Sequence, residues 1–185
     1  MTDSMFGDEM VAQIPYLRAF AISLSGSYSV ADDLVQDTLV KAWSHADSFE
    51  PGTNFRAWLV TILRNTYFSQ YRKRSREVQD SDNVLAEQIP VKGGQEANVT
   101  MQDVQKALDK LAPEHREILL MIGITELSYE EAAQVCNIAV GTVKSRLNRA
   151  RAKLAEHLGM SGVHEIEHDS TLAAVTARPR GAKAG

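Results

Sequence analysis

At 185 residues, 44% of them hydrophobic and 24% charged, the chain suits one large domain or two small ones. A net charge of −4 argues against a uniformly basic nucleic-acid coat. A single cysteine, Cys136, excludes an internal disulfide and a cysteine-rich zinc cluster. No apolar run approaches the ~20 residues of a membrane span, and MTDSMFGDEM lacks a signal-peptide pattern, so a cytoplasmic location without a membrane partner is expected.

The charge is unevenly placed. Residues 51–76 carry Arg56, Arg64, Arg72, Lys73, Arg74 and Arg76 and no acid. Residues 140–158 carry Lys144, Arg146, Arg149, Arg151 and Lys153 against Glu156 alone. Two basic islands, each on one helix, predict two separate contacts with a polyanion. The acidic remainder limits non-specific binding and offers surfaces to basic proteins.

In chain order, Val11, Ile14, Leu17, Phe20, Ala21 and Leu24 predict a helix over 5–25, which Pro15 kinks or restarts and Gly26 ends. Ser29 with Asp32 reads as a capping pair for a second helix, ADDLVQDTLVKAWSHA. Leu34, Val35, Leu39, Ala42 and Trp43 are expected inward, and Asp33, Gln36, Asp37 and Lys41 outward. A solubilising face and an acidic dock for a basic helix fit those outward residues equally well. Pro51-Gly52 then marks a turn, and Asn54 is placed to cap a helix from Phe55 to about Arg76. Phe55, Trp58, Leu59, Ile62, Leu63 and Phe68 form its apolar side. Tyr67 and Tyr71 interleave with Arg64, Arg72 and the other bases. Such rings usually belong to a core, but beside a basic face they also suit unstacked bases, and the small polar turn suits a base drawn from the duplex.

From Glu77 the periodicity fails, with Pro90 and Gly93-Gly94 as breakers, so residues 78–99 read as a flexible linker. Fully extended it spans roughly 75 Å at ~3.3 Å per residue, enough for two DNA turns of about 34 Å. It separates a first domain, 8–77, from a second, 100–158; the fold class is all-α with two small helical domains. Thr100 with Asp103 predicts a cap for a helix bearing Met101, Val104, Leu108 and Leu111. Pro113 opens another, apolar around Ile118, Leu119, Met121 and Ile122. These two helices are expected to complete a four-helix unit with the stretch that follows.

That stretch, SYEEAAQVCNIAVGTVKSRLNRARAKLAEHL from Ser128 to Leu158, reads as a helix-turn-helix. Ser128 and Glu131 form a capping box. Ala132 and Ala133 permit close helix crossing, Cys136 is expected on the inner side, and Asn137 tolerates the turn. Val143, Leu147, Ala150, Leu154 and Leu158 make one apolar stripe. At about 100° per residue, Ser145, Asn148, Arg149 and Thr142 fall on the opposite side, with Lys144 and Arg146 flanking. An apolar back with outward donors and amides is what a helix in the major groove requires. The tail, 159–185, is expected to be disordered. His157, His164 and His168 lack the companions of a metal site, and no paired-carboxylate or nucleophile arrangement supports catalysis, so neither cofactor nor metal is expected.

Taken together, the motifs resemble those of bacterial extracytoplasmic-function sigma factors of the sigma-70 family, over about residues 8–158. DDLVQDTLVKAW is similar to the segment that meets the clamp helices of the polymerase largest subunit. SFEPGTNFRAWLVTILRN is similar to the loop and helix that open and read the minus-10 element. SYEEAAQVCNIAVGTVKSRLNRARAKL is similar to the motif that reads the minus-35 element. The resemblance implies core-polymerase contacts at Asp33, Gln36 and Asp37, and minus-10 contacts at Gly52, Thr53, Asn54, Arg64 and Arg72. It also implies Lys144, Ser145, Asn148 and Arg149 in the major groove, with Thr142 and Arg146 nearer phosphates. Ala139 departs from the pattern, standing where a serine-like cap is common. EPGTNFRAW, LAPEHRE and SYEEAAQVC look like the alphaproteobacterial general-stress subgroup, which implies a small helical anti-sigma factor as inhibitor, released when a response regulator with a sigma-like domain competes for it. The free protein is expected to be a monomer. A rival reading is a sigma-like decoy that only titrates the inhibitor; a decoy does not need two basic islands. A third, a nuclease or other DNA enzyme, lacks any supporting site.

Overall fold

The computed structural model describes residues 3–78 and 101–160. The expected linker from residue 79 on, the Thr100 cap, His164, His168 and the tail beyond Met160 lie outside them, as do the side chains of Arg74, Arg76 and Met101; Val78, expected in the linker, is the last residue of a helix. Every regular element among the described residues is helical, and the chain divides into two units, Met1–Ile89 and Pro90–Gly185.

In the first unit, α1 (Asp3–Ser25), α2 (Tyr28–Ser44) and α3 (Phe55–Val78) pack on one another. Leu17, Phe20, Ala21 and Leu24 of α1 meet Ala31, Leu34, Val35 and Ala42 of α2 and Phe55, Leu59, Val60 and Leu63 of α3 in its core. Aromatic rings close one end: Phe6 lies edge-on to Phe55, Trp58 and Trp43 at 5.3, 6.2 and 5.9 Å, and Phe49 edge-on to Phe55 at 4.9 Å. Such pairs add to the area they bury.

Three expectations for this unit are corrected. Pro15 lies inside one continuous helix rather than restarting it. Its missing N–H would have bonded the Val11 carbonyl, and Val11 is 63% exposed, so water can serve that carbonyl. The cap of α2 is Ser27, not Ser29: Gly26 at φ +69° ends α1, Ser27 is extended, and its Oγ accepts the Val30 N–H at 3.4 Å. Asp32, freed from capping, accepts Arg18 Nε at 2.6 Å. Trp43 is 53% exposed rather than inward. It lies one heptad after Gln36, which on a 3.6-residue period is the same outward face.

In the second unit, α4 (Met101–Asp109), α5 (Pro113–Thr125), α6 (Tyr129–Cys136) and α7 (Val140–His157) form the expected four-helix unit, with α7 against the other three. Pro113 sits in the first turn of α5. Residues 117–123 of α5 are all buried, the mark of a helix covered on every side. The capping box is complete: Ser128 Oγ accepts the Glu131 N–H at 3.2 Å, and Glu131 Oε2 accepts the Ser128 N–H at 2.7 Å. Asn137 adopts φ 53°, ψ 50°, so the Ile138 N–H reaches the Ala133 carbonyl at 3.0 Å and turns the chain into α7. Cys136 is half-buried. No described helix is long and apolar enough to cross a membrane.

Candidate nucleic-acid and protein interfaces

Helix α7 is held from behind. Val143, Leu147, Ala150 and Leu154 are buried, while Leu158, the last of the stripe, is half-buried as the C-cap. Away from that stripe, Lys144, Ser145, Asn148 and Arg149 are exposed, and Thr142 and Arg146 are half-buried. These six groups lie within about 10 Å along the helix axis at 1.5 Å per residue. Ser145 Oγ donates to the Thr142 carbonyl at 3.1 Å, leaving oxygen lone pairs to accept. Lys144 Nζ stands 6.0 Å from the Tyr129 ring centroid, where the ring of α6 meets the cation of α7. Ala139 caps α7 with no side-chain bond, as the sequence predicts. Arg151 departs from the expected pattern: it is 6% exposed and so withdrawn from any outer surface. Its wheel position, about 80° from Val143, lies beside that of Lys144 at about 100°, so spacing alone does not separate it from the exposed bases.

In the first unit, Gly52, Thr53 and Asn54 form one exposed turn. Gly52 takes φ +94°, a conformation that favours glycine, with open space where a Cβ would stand. Thr53 folds back: its N–H and Oγ1 donate to the Glu50 carbonyl at 3.2 and 2.7 Å. Asn54 Oδ1 accepts the Ala57 N–H at 3.2 Å, the expected cap of α3. Arg64 is half-buried, its guanidinium 5.2 Å from the Phe68 ring, and Arg72 is exposed. The minus-10 candidates are therefore not one pocket. Asn54 and Arg72 stand about 27 Å apart along α3 at 1.5 Å per residue. That length equals on the order of eight stacked nucleotides at 3.4 Å each. Of the two tyrosines, Tyr71 is 61% exposed, whereas Tyr67 is half-buried and donates its hydroxyl to the Leu24 carbonyl at 3.1 Å. Tyr67 thus ties α3 to α1 instead of offering a free ring. Arg56, which the sequence shows only as a charge, is clamped: its guanidinium lies 3.5 Å over the Tyr16 ring and its Nε donates to Gln13 Oε1 at 2.7 Å.

On α2, Asp33, Gln36 and Asp37 are all exposed on one side, as expected. Asp37 Oδ2 accepts Gln70 Nε2 at 2.9 Å, and Lys41 Nζ donates to Thr66 Oγ1 at 2.9 Å. Neither bond is legible in the sequence, because each joins residues far apart in the chain. Nearby, the Arg18 hydrogen bond and charge hold the Asp32 carboxyl below the ordinary carboxylate range and raise Arg18 in turn. No group of metal-ligating side chains occurs among the described residues.

Known proteins share this arrangement. Residues 10–77 match the family described as Sigma-70 region 2, and residues 101–154 that described as Sigma-70, region 4. The ECF RNA polymerase sigma factor EcfG of Rhodopseudomonas palustris (strain TIE-1) is 50% identical over 95% of this chain and 96% of its own length. The sigma factor RpoE, solved in complex with the anti-sigma factor NepR from Bartonella quintana, superposes with a TM-score of 0.77 at 51% identity. That match covers 84% of this chain and 98% of the solved one. CnrH, solved in complex with the cytosolic domain of CnrY, gives a TM-score of 0.64 at 30% identity, covering 85% and 90%.

Proposed function

On the premise that this chain belongs to the ECF RNA polymerase sigma factors, we propose that it binds core polymerase through α2 and directs initiation at promoters read by α3 and α7. It acts by binding, with no catalytic step of its own, in the cytoplasm where polymerase works. The observation that carries this reading is α7: a buried apolar back with Lys144, Ser145, Asn148 and Arg149 presented together and outward. Arginine and lysine suit guanine acceptors, and asparagine suits adenine. Thr142 and Arg146 at the margins suit phosphates, which set register but not sequence.

In this reading the turn Gly52–Asn54 borders a minus-10 base turned out of the duplex, and Arg64 and Arg72 follow the strand along α3. Asp33, Gln36 and Asp37 meet the clamp helices of the polymerase largest subunit. Residues 8–77 and 100–158 are the two functional domains, and 78–99 the connector that lets both reach one promoter. The likeness to EcfG and to the RpoE–NepR structure supports assignment to the general-stress type, held inactive by a small helical anti-sigma factor. The free protein is a monomer.

In vitro transcription with core polymerase on a promoter library tests this. Transcripts above those of core alone, from promoters sharing two spaced elements, are expected. A folded sample that binds an anti-sigma factor yet adds no transcript identifies a decoy instead.

A further inference from the structure

The two bonds between α2 and α3 form a ladder. Asp37 and Lys41 stand four residues apart on α2, and Thr66 and Gln70 four apart on α3, paired in opposite order across the seam. The Thr66 end is fixed. That side chain is buried and donates its hydroxyl proton to the Ile62 carbonyl at 2.8 Å, leaving an oxygen lone pair for Lys41. The Gln70 end is half-buried and reaches an exposed carboxylate.

We propose that Gln70 is a positioning residue for polymerase docking: it holds the Asp37 carboxylate in the orientation that receives a cation of the partner, while Lys41–Thr66 fixes the register of α2 on α3. The inference rests on the reading of α2 as the docking helix. An exposed aspartate samples several rotamers, and ordering it at the moment of binding costs free energy. The bond occupies Oδ2, and a carboxylate has a second oxygen to give. Lys41 lies one turn further along α2, where an i,i+4 ammonium attracts an unrestrained Asp37 along the helix. Gln70 holds Asp37 and Thr66 holds Lys41, each across the seam rather than along α2. The helix that carries Tyr71 and Arg72 thereby also sets a group on the polymerase side.

A double-mutant cycle on the full chain, read as affinity for core polymerase without DNA, tests this. Gln70→Ala is expected to weaken binding about threefold to tenfold, the usual range for one hydrogen bond. Gln70→Glu keeps the shape but opposes two carboxylates, and is expected to cost at least as much. In an Asp37→Ala background both substitutions should change affinity by less than about twofold. If they cost as much there as in the parent, or cost nothing in the parent, Gln70 does not act through Asp37 and the inference fails while the docking reading stands. A loss seen only in the thermal transition, with core affinity retained, overturns it too. If Asp37→Ala itself leaves core affinity unchanged, the docking reading fails and takes the inference with it.

Discussion

Helices α3 and α7 both carry basic residues and both are proposed to meet promoter DNA, yet the fold treats them differently. Helix α7 buries one side and leaves the other open. Helix α3 packs on α1 and α2, and several of its polar side chains bond to them. Arg56 is stacked on Tyr16, Arg64 is half-buried beside Phe68, Tyr67 is bonded to Leu24, and Gln70 to Asp37. A helix that meets its neighbours through one mostly apolar stripe displays its chemistry as a face. One whose polar side chains also bond its neighbours divides them between internal bonds and solvent, so its outer contacts spread along its length.

The largest effect that probes this contrast is in the cores. Leu63→Ala in α3 and Leu147→Ala in α7 each remove a buried side chain, at an expected cost of about 2–5 kcal/mol. Both tryptophans, Trp43 and Trp58, lie in the first unit. Urea unfolding followed by tryptophan fluorescence should therefore register Leu63→Ala, and circular dichroism is needed for Leu147→Ala. Next, Arg149→Ala should weaken binding to a minus-35 duplex by about 1–3 kcal/mol while leaving core affinity intact. Loss of core affinity instead would move that face of α7 from DNA to protein.

The helix-turn-helix allows a finer comparison of its own two starts. Ser128→Ala breaks a complete capping box and should destabilise the second unit by about 0.5–2 kcal/mol in denaturant unfolding. Ala139→Ser should add a missing cap to α7. The backbone at Ala139 is already extended, so a gain of roughly 0.5–1 kcal/mol is expected. A gain no larger than the error would mean that the introduced hydroxyl does not reach the first-turn N–H groups. The smallest effect is electrostatic. Asp32 titrates below its ordinary value because of Arg18. A depressed carboxyl stabilises the fold above the unfolded value, here about pH 4, and loses that contribution as pH falls through the folded value. Carboxyl NMR titration should show the Asp32 midpoint rising in Arg18→Ala, with little change in stability at neutral pH because the pair is exposed.

Spacing and residue type are sufficient for the second unit. The Ser128–Glu131 box, the left-handed Asn137 and the stripe of α7 are local: each depends on residues within a turn or two, so the chain carries the instructions in order. The same holds for the turn at Gly52 and the cap at Asn54. Residue type misleads where it is weighed above period. Size alone sends Trp43 inward, although Gln36 seven residues earlier points outward.

Other features have no local signal. Tyr67, Arg56 and Gln70 find partners 43, 43 and 33 residues away, which depends on how three helices lie against one another. Helical periodicity determines which faces exist and what chemistry they carry. Contact between faces distant in sequence determines which polar groups remain for a partner, because a side chain satisfied inside the fold has already committed its hydrogen bonds.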